Sequence, residues 1–415
     1  MKVHHILLSL QEPGAPDALK GALNPGDIVV AAPDASLMAR YEALLESQLV
    51  ERRDVRPELK ALGGDLKAMA ATRAFETITD DTLERIHLVL CQGMSLSFRD
   101  NALTDYLKAY LVRLCGDCLA QMLGAQASLD GRDFIVCETQ GAIPVVDRTL
   151  TDQAIEGLAR PGVTVVSGGF GRKVTGETVS LGQGGSELTA NILGAALQAD
   201  AVCYYVPGFA EKASALSYEE AAQRFAQGGP VYPPALLPAK KAGLTVEVGG
   251  LRIEPAEKLT GESGITGVVV SGPMSLFTVY GTGLLGSVGI SSAIFGLLAG
   301  KGINIHFISQ SLSEFSISFA VKRKDAAAAE EAIGGLVSGQ LSDLAFDSRD
   351  VEIVSVFGQR MKHVPGISGK VYTALGDAGV NVIASSQGGE ELSISIVVDE
   401  ADAARAGEAL APLKA

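Results

Sequence analysis

The stretch of this chain most suited to chemistry is Leu181-Gly182-Gln183-Gly184-Gly185-Ser186-Glu187. A glycine-rich turn at the start of a helix lets backbone N–H groups approach an anion, and the helix dipole adds a favourable field. Leu188 to Ala199 has helical spacing, so the turn does open a helix. Ser186 is expected to cap it, with Glu187 in the first turn, where a carboxylate is also favourable. On spacing alone, a capped helix after a tight turn with no ligand fits equally well. Just upstream, Gly162 to Phe170 reads as a strand ending in the turn Gly168-Gly169. A polar loop follows with Arg172 and Lys173, either solvated or offering a cation to a phosphate. Glu138 and Asp147 follow a strand end and are able to face the same cleft.

Other chemistry-bearing residues read as structural. Cys115 and Cys118 form a lone C-x-x-C inside an apolar helical pattern, without the second ligand pair a metal site needs, so they are expected to be half-buried thiols. His4 and His5 open the first strand and are expected at an edge. His306 is expected to be packed, and Lys322-Arg323-Lys324 to be a solvated turn. No metal site is expected.

These residues need a scaffold. Asp27 to Ala32, Asp133 to Cys137 and Ala201 to Val206 are short apolar runs, and Leu37 to Glu51 is an amphipathic helix. Continuous apolar strands between helices predict an α/β fold, a mainly parallel sheet covered on both faces. At 415 residues the chain is too long for one ordinary core. The Gly- and Pro-rich stretch from Gly228 to Ala256 places a boundary near residue 265.

Beyond it lies an internal repeat. Gly302-Ile303-Asn304-Ile305 returns as Gly379-Val380-Asn381-Val382, Ser309-Gln310 as Ser386-Gln387, and Gly289 as Gly366, in one gapless register. Each copy reads strand, glycine turn, helix, strand, hairpin, strand, helix. Such small units cannot each bury a sheet alone and should pair with each other or with a second subunit. Asn304 and Asn381 suit the closing of a turn.

Composition excludes some functions. The net charge is 34 − 48 = −14, with no basic patch to meet duplex phosphates or an anionic membrane, so no nucleic-acid or membrane partner is expected. The five scattered cysteines and the lack of a secretory segment point to reduced thiols and a cytoplasmic location.

Thr178 to Ala190 resembles the T-T-x-L-G-R-G-G-S-D-x-T-A signature of aspartate kinases. Val165 to Phe170, Ala215 to Ala221 (A-L-S-Y-E-E-A) and Gly229 to Pro233 stand where that family has matching segments. The helix around Gly116-Asp117 is similar to its substrate helix, and the two repeats are similar to its paired ACT units. The resemblance implies an amino-acid-kinase-like α/β/α domain over 1–265 and two ferredoxin-like ACT units over 266–345 and 346–415. It also implies transfer of the γ-phosphoryl of MgATP to a carboxylate of aspartate or a related amino acid, with no tightly bound cofactor. Both reactants are anionic, so cations, backbone donors and positioning supply the rate.

Carried over residue by residue, the resemblance makes Glu187 and Lys173 catalytic. It assigns substrate binding to Asp117, Gln183, Ser186, Gly184 and Gly185, and nucleotide binding to Gly168, Gly169, Arg172 and Lys212. Effector binding falls to Ser291, Asn304, Gln310 and Asn381, and a homodimer forms through the ACT units.

Four departures concern phosphate chemistry. The opening strand has no lysine after Lys2 and no Gly-Gly turn, but runs Ile6-Leu7-Leu8-Ser9 toward Glu12. Gln183 replaces the signature arginine, and Val206 to Ala210 runs almost directly into the Leu-Ser-Tyr-Glu-Glu segment, where the family has a nucleotide loop. A ligand-binding relative without catalysis, or an enzyme with another acceptor, therefore stays open beside the kinase.

Overall fold

The computed structural model describes residues 1–413 apart from 13, 96–100, 141–142, 159–160, 211–214, 227, 260–263, 312–314, 340, 359–360 and 362. The chain forms two units: Met1–Tyr218 with Gly229–Leu259, and Glu219–Gly228 with Thr260–Ala415.

The first unit begins with β1 (Lys2–Leu8), α1 (Ala15–Lys20), β2 (Ile28–Pro33) and a helical run of α2 (Ala35–Leu49), α3 (Arg56–Met69), α4 (Arg73–Ser95) and α5 (Asn101–Leu123). It continues through β3 (Ala127–Asp130), β4 (Val136–Gln140), β5 (Ile143–Val146), α6 (Arg148–Ile155), β6 (Thr164–Ser167), β7 (Phe170–Lys173), β8 (Thr178–Ser180), α7 (Gly185–Ala196), β9 (Ala201–Tyr205) and β10 (Ala215–Ser217). After α8 (Tyr218–Phe225), which belongs to the second unit from Glu219 onward, come α9 (Leu237–Ala242), β11 (Thr245–Val248) and β12 (Leu251–Glu254).

Eight strands form the main sheet, in the order β10-β12-β11-β9-β1-β2-β6-β3. Its central pairs are parallel. Interior parallel strands are buried on both faces, which is why Ile28–Pro33 is apolar and buried at all six positions. On one face Ile6, Leu8, Val29, Ala31 and Val165 share a core with α2–α5, including Leu111, Leu114, Cys115 and Cys118. The two cysteines are therefore fully buried free thiols, and burial pushes Cys118 up to about 12.

The expectation of an edge position for His4 and His5 fails, because β1 runs through the middle of the sheet and both rings are 2% exposed. Each has a polar partner instead. His4 Nε2 lies 3.2 Å from Asp27 Oδ2, while Asp27 also accepts from the Lys2 and Asn24 backbone N–H groups. His5, one residue on, faces the opposite side of the sheet, toward α7. The loop expected after Phe170 is in fact a hairpin, β7 with β8, in a small second sheet ordered β5-β4-β7-β8. Asp147 does not face a cleft; it caps α6 through Leu150 N–H.

The second unit contains β13 (Gly267–Val270), then one repeat of β14 (Met274–Tyr280), α10 (Ile290–Gly300), β15 (Phe307–Gln310), β16 (Ser316–Lys322) and α11 (Ala326–Ser338). The other repeat is β17 (Ala345–Phe357), α12 (Ile367–Asp377), β18 (Ala384–Gln387), β19 (Ser393–Asp399) and α13 (Ala403–Leu410). The offset is 381 − 304 = 77 residues, and Gly289 and Gly366 precede the equivalent helices α10 and α12. One long strand joins the two: residues 345–351 of β17 pair with β14, and 351–357 pair with β19. β13, although it precedes the first repeat, pairs with residues 354–357 of the second.

Each repeat has its own core against its helices. Met274 and Leu276 point to the opposite face of β14 from Phe277 and Val279, and there they meet Val351, Ile353 and Val397. The helix-free faces are thus buried together, as the small size of each repeat requires. Two expectations fail in this unit. Arg323 is not a solvated turn residue but bonds Asp350 at 3.1 Å and Glu400 at 3.0 Å. Arg323 and Glu400 are equivalent positions of the two repeats (400 − 323 = 77) with opposite charge. His306 is exposed, its Nε2 3.3 Å from the Asn304 amide nitrogen.

Candidate active site

The glycine turn after β6 and the amino end of α7 meet at the carboxyl ends of the parallel strands, where α/β sheets place their ligands. Their contact is close because side chains are missing from it. A Cβ on Gly168 would lie 2.5 Å from Val30 Cγ1 and 3.2 Å from Ser186 Cα. Gly169 N–H donates to Thr189 Oγ1 at 3.1 Å, and Thr189 in turn donates to Gly185 O. The predicted residues Gly168, Gly169, Gly184, Gly185 and Ser186 are thereby brought together.

Ser186 does not cap α7. The N-cap is Gly184, at φ 69, a left-handed conformation that glycine adopts without strain. Tyr232 packs directly over it: a Cβ on Gly184 would lie 2.5 Å from the ring carbon Cδ1. Ser186 Oγ instead lies 3.0 Å from His5 Nε2. Among the described residues, the backbone N–H groups of Ser186 and Glu187 have no acceptor. The amino end of α7 thus presents two free backbone donors and a hydroxyl, an arrangement suited to an anionic oxygen.

Glu187 stands in the first turn, as expected. One oxygen accepts from Tyr232 N–H at 2.7 Å, and burial raises the carboxyl above its ordinary range against that bond. Its backbone carbonyl accepts from Tyr204 O–H, which also accepts from Asn191. Gln183 is exposed on the turn.

Asp117 lies on α5, one residue after Gly116, which packs against Ser167 at the end of β6. Burial raises its pKa, opposed by a 2.7 Å bond from Ser128 and a 2.7 Å ion pair with Arg113. Close by, Arg132 clamps Asp130 through Nε and Nη2, and its Nη1 reaches Thr178 Oγ1 at 3.3 Å. The Tyr110 ring lies 5.8 Å from the Arg132 guanidinium carbon.

Two of the predicted cations, Lys173 and Arg172, lie along the hairpin. Lys173 Nζ pairs with Glu177 at 2.8 Å. Glu177 lies four residues before Leu181, about 13 Å of extended chain, which sets this pair along the hairpin from the glycine turn. Arg172 is opposite Thr178 across the hairpin and shares its face. It has no ion-pair partner among the described residues. Lys212 lies outside the described residues. After β9 the chain passes close to the turn that follows β11: a Cβ on Gly249 would lie 2.3 Å from Phe209 O. In the other unit, Ser291 is in the first turn of α10, Asn304 and Asn381 are exposed in equivalent loops, and Gln310 ends β15.

His5, Thr189, Tyr232 and Arg113 belong to this site but were not among the site residues expected from the sequence. Arg113 and Asp117 carried a signal, opposite charges at i and i+4 of a helix. Thr189 carried one too, within the glycine-rich motif. His5 carried none, since its role comes from strand order, and Tyr232 carried only its place in the Gly229–Pro233 segment, since its role comes from a distant turn.

Family comparisons agree with this architecture. The model described as the amino acid kinase family matches residues 28–250, and the ACT domain model matches 277–334 and 354–412. A bifunctional aspartokinase/homoserine dehydrogenase of Haemophilus influenzae is 27% identical over 393 residues, covering 89% of this chain and 45% of the relative. Aspartokinase 2 of Bacillus subtilis is 29% identical over 287 residues, covering 63% of this chain and 67% of the relative. The chain thus spans less than half the length of the bifunctional relatives it matches. The crystal structure of E. coli aspartokinase III in complex with lysine and aspartate superposes with a TM-score of 0.81 at 19% identity, covering 100% of this chain and 99% of that one. The aspartate kinase of Clostridium acetobutylicum superposes with a TM-score of 0.83 at 17% identity, with the same coverage. At these identities the superpositions speak for the fold. With more than half its length matched by the kinase model and the rest dominated by two ACT repeats, the chain belongs to the amino acid kinase family and is similar to aspartokinases along most of its length.

Proposed function

We propose that this protein transfers a phosphoryl group from MgATP to the carboxylate of aspartate or a closely related amino acid, under the control of an amino-acid effector held by the ACT repeats. The observation that carries this reading is the donor cluster at the amino end of α7, built from Gly168, Gly169, Gly184, Gly185 and Ser186. In the reaction a carboxylate oxygen bonds to the γ-phosphorus, the bond to the β,γ-bridging oxygen breaks, and ADP departs with that electron pair. The α7 donors hold an anionic oxygen, and Glu187 and Gln183 border them. An amino-acid zwitterion matches the Arg113–Asp117 pair charge for charge, with its ammonium group at Asp117 and its carboxylate at Arg113. Arg113 then supplies a cation that Gln183 does not.

Among the described residues Arg172 is the hairpin cation with no carboxylate partner to leave, whereas Lys173 must part from Glu177; Lys212 completes the proposed nucleotide contacts. Magnesium needs only one or two carboxylates besides phosphate oxygens. The described residues therefore fit it, although they contain no three-residue metal cluster. We assign effector binding to Ser291, Asn304, Gln310 and Asn381, with a homodimer formed through the ACT units, domain limits near 265 and 345, and a cytoplasmic location. Among the described residues, no helix is long and apolar enough to cross a membrane.

A second reading, ligand binding without phosphoryl transfer, is favoured by the self-pairing of the cations: Arg113 with Asp117, Arg132 with Asp130, Lys173 with Glu177. Each charge-stabilising group missing from a site of this kind costs about 10²–10³ in rate. The purified chain with MgATP, aspartate and hydroxylamine should yield the acyl hydroxamate. No hydroxamate across a panel of amino dicarboxylates, alongside calorimetric binding of one of them, would replace the first reading with the second.

A further inference from the structure

We propose that His5 is a positioning residue: its Nε2–H donates to Ser186 Oγ and so turns the serine's own hydrogen outward, toward an anionic oxygen at the amino end of α7. The anionic oxygen rests on the site described under the proposed function; the His5–Ser186 polarity does not.

His5 is 2% exposed, its Nε2 lies 3.0 Å from Ser186 Oγ, and its Nδ1 is buried without a partner among the described residues. A neutral imidazole has two forms. With hydrogen on Nδ1, a buried N–H would lack any acceptor, and Nε2 would draw the serine hydrogen inward. With hydrogen on Nε2, the unmatched group is a lone pair and the serine oxygen accepts. Orphaned buried N–H groups are rarer than under-satisfied acceptors, so the second form is selected. Ser186 Oγ has no other partner among the described residues, which leaves its hydrogen available.

The neighbours hold this arrangement in place. Ser186 Cβ packs where Gly168 has no side chain, 3.3 Å from the point a Cβ would occupy. The Tyr204 ring lies against the imidazole with centroids 5.0 Å apart, while its hydroxyl is tied to Asn191 and the Glu187 carbonyl. Burial also keeps the ring uncharged at neutral pH. At this end of α7, β1 therefore contributes direction to a hydroxyl and no positive charge.

Two measurements on the full-length chain test the inference. With histidine labelled in ¹⁵N, long-range ¹⁵N–¹H correlation should show His5 as the Nε2–H form from pH 8 to pH 5; the Nδ1–H form overturns the proposal. In calorimetry with ATP, His5→Leu should bind about tenfold more weakly, the loss of roughly one neutral hydrogen bond. His5→Gln, which keeps an amide donor near the Nε2 position, should stay within about threefold of the unsubstituted chain. Equal affinity for His5→Leu and the unsubstituted chain also overturns it. If the unsubstituted chain binds no ATP, the proposed kinase function fails, and the tautomer still decides the role of His5.

Discussion

Acid should destabilise the first unit through one ring. Burial lowers His5 from an ordinary histidine value near 6.5 to about 3. A histidine lowered in the fold binds fewer protons there than in the unfolded chain. Its contribution is intact above the unfolded value and is lost as pH falls between about 6.5 and about 3. Between pH 7 and pH 5 the unfolded ring gains about 0.7 of a proton while the folded one gains almost none. Integrating that difference gives about 1.9 kcal/mol of lost stability. His4 is lowered as well, by burial against the opposing pull of Asp27, and adds to the total in the same direction. The comparison of the unsubstituted chain with His5→Gln cancels the His4 part. Urea unfolding followed by far-ultraviolet circular dichroism at both pH values should show the unsubstituted chain losing about 2 kcal/mol more than His5→Gln. Equal losses, or an imidazole at position 5 titrating near its ordinary value, would refute the argument.

Two further substitutions separate packing from chemistry at the same helix end. Gly184→Ala puts a Cβ 2.5 Å from a Tyr232 ring carbon at φ 69. It should cost about 2–4 kcal/mol in thermal unfolding, from left-handed strain plus overpacking, and an unchanged melting temperature would show that the ring does not cover the turn. Glu187→Gln keeps an oxygen for the Tyr232 N–H and removes a charge that burial disfavours. Stability at pH 7 should hold or rise while hydroxamate formation falls about 10²-fold or more; unchanged hydroxamate formation would remove Glu187 from the chemistry.

Much of the scaffold is legible along the chain because it depends on local pattern. The apolar run Ile28–Pro33 announces a buried parallel strand, and the repeats announce themselves by Gly302-Ile303-Asn304 and Gly379-Val380-Asn381. Strand order is another matter. Two consecutive histidines near a chain terminus look like an edge, and only the insertion of β1 between β9 and β2 shows them to be central. The same holds for β13, whose pairing with β17 skips the whole first repeat. Arg323 lies among lysines in the chain and reads as solvated, yet its partner Glu400 is 77 residues away (400 − 323), at the equivalent point of the other repeat.

The candidate site shows the same division. Its glycines were legible because close backbone approach demands them: Gly168 and Gly184 have no room for a side chain. The direction of its polar groups was not, because each is set by a partner distant in sequence, His5 for Ser186 and Tyr232 for Glu187. The departures from the aspartate-kinase pattern gain a physical meaning from these partners. Where β1 brings no lysine it brings a buried neutral ring, and Asp117, Asp130 and Glu177 each hold a cation of their own. A charge-balanced cleft with oriented neutral donors favours a zwitterion over a bare polyanion, because the zwitterion exchanges one ion pair for another while a triphosphate must find cations that are not already engaged. Under the proposed function, amino-acid recognition is the better-kept half of the chemistry, and phosphoryl transfer would depend on how readily Arg172 and the paired cations turn toward the donor.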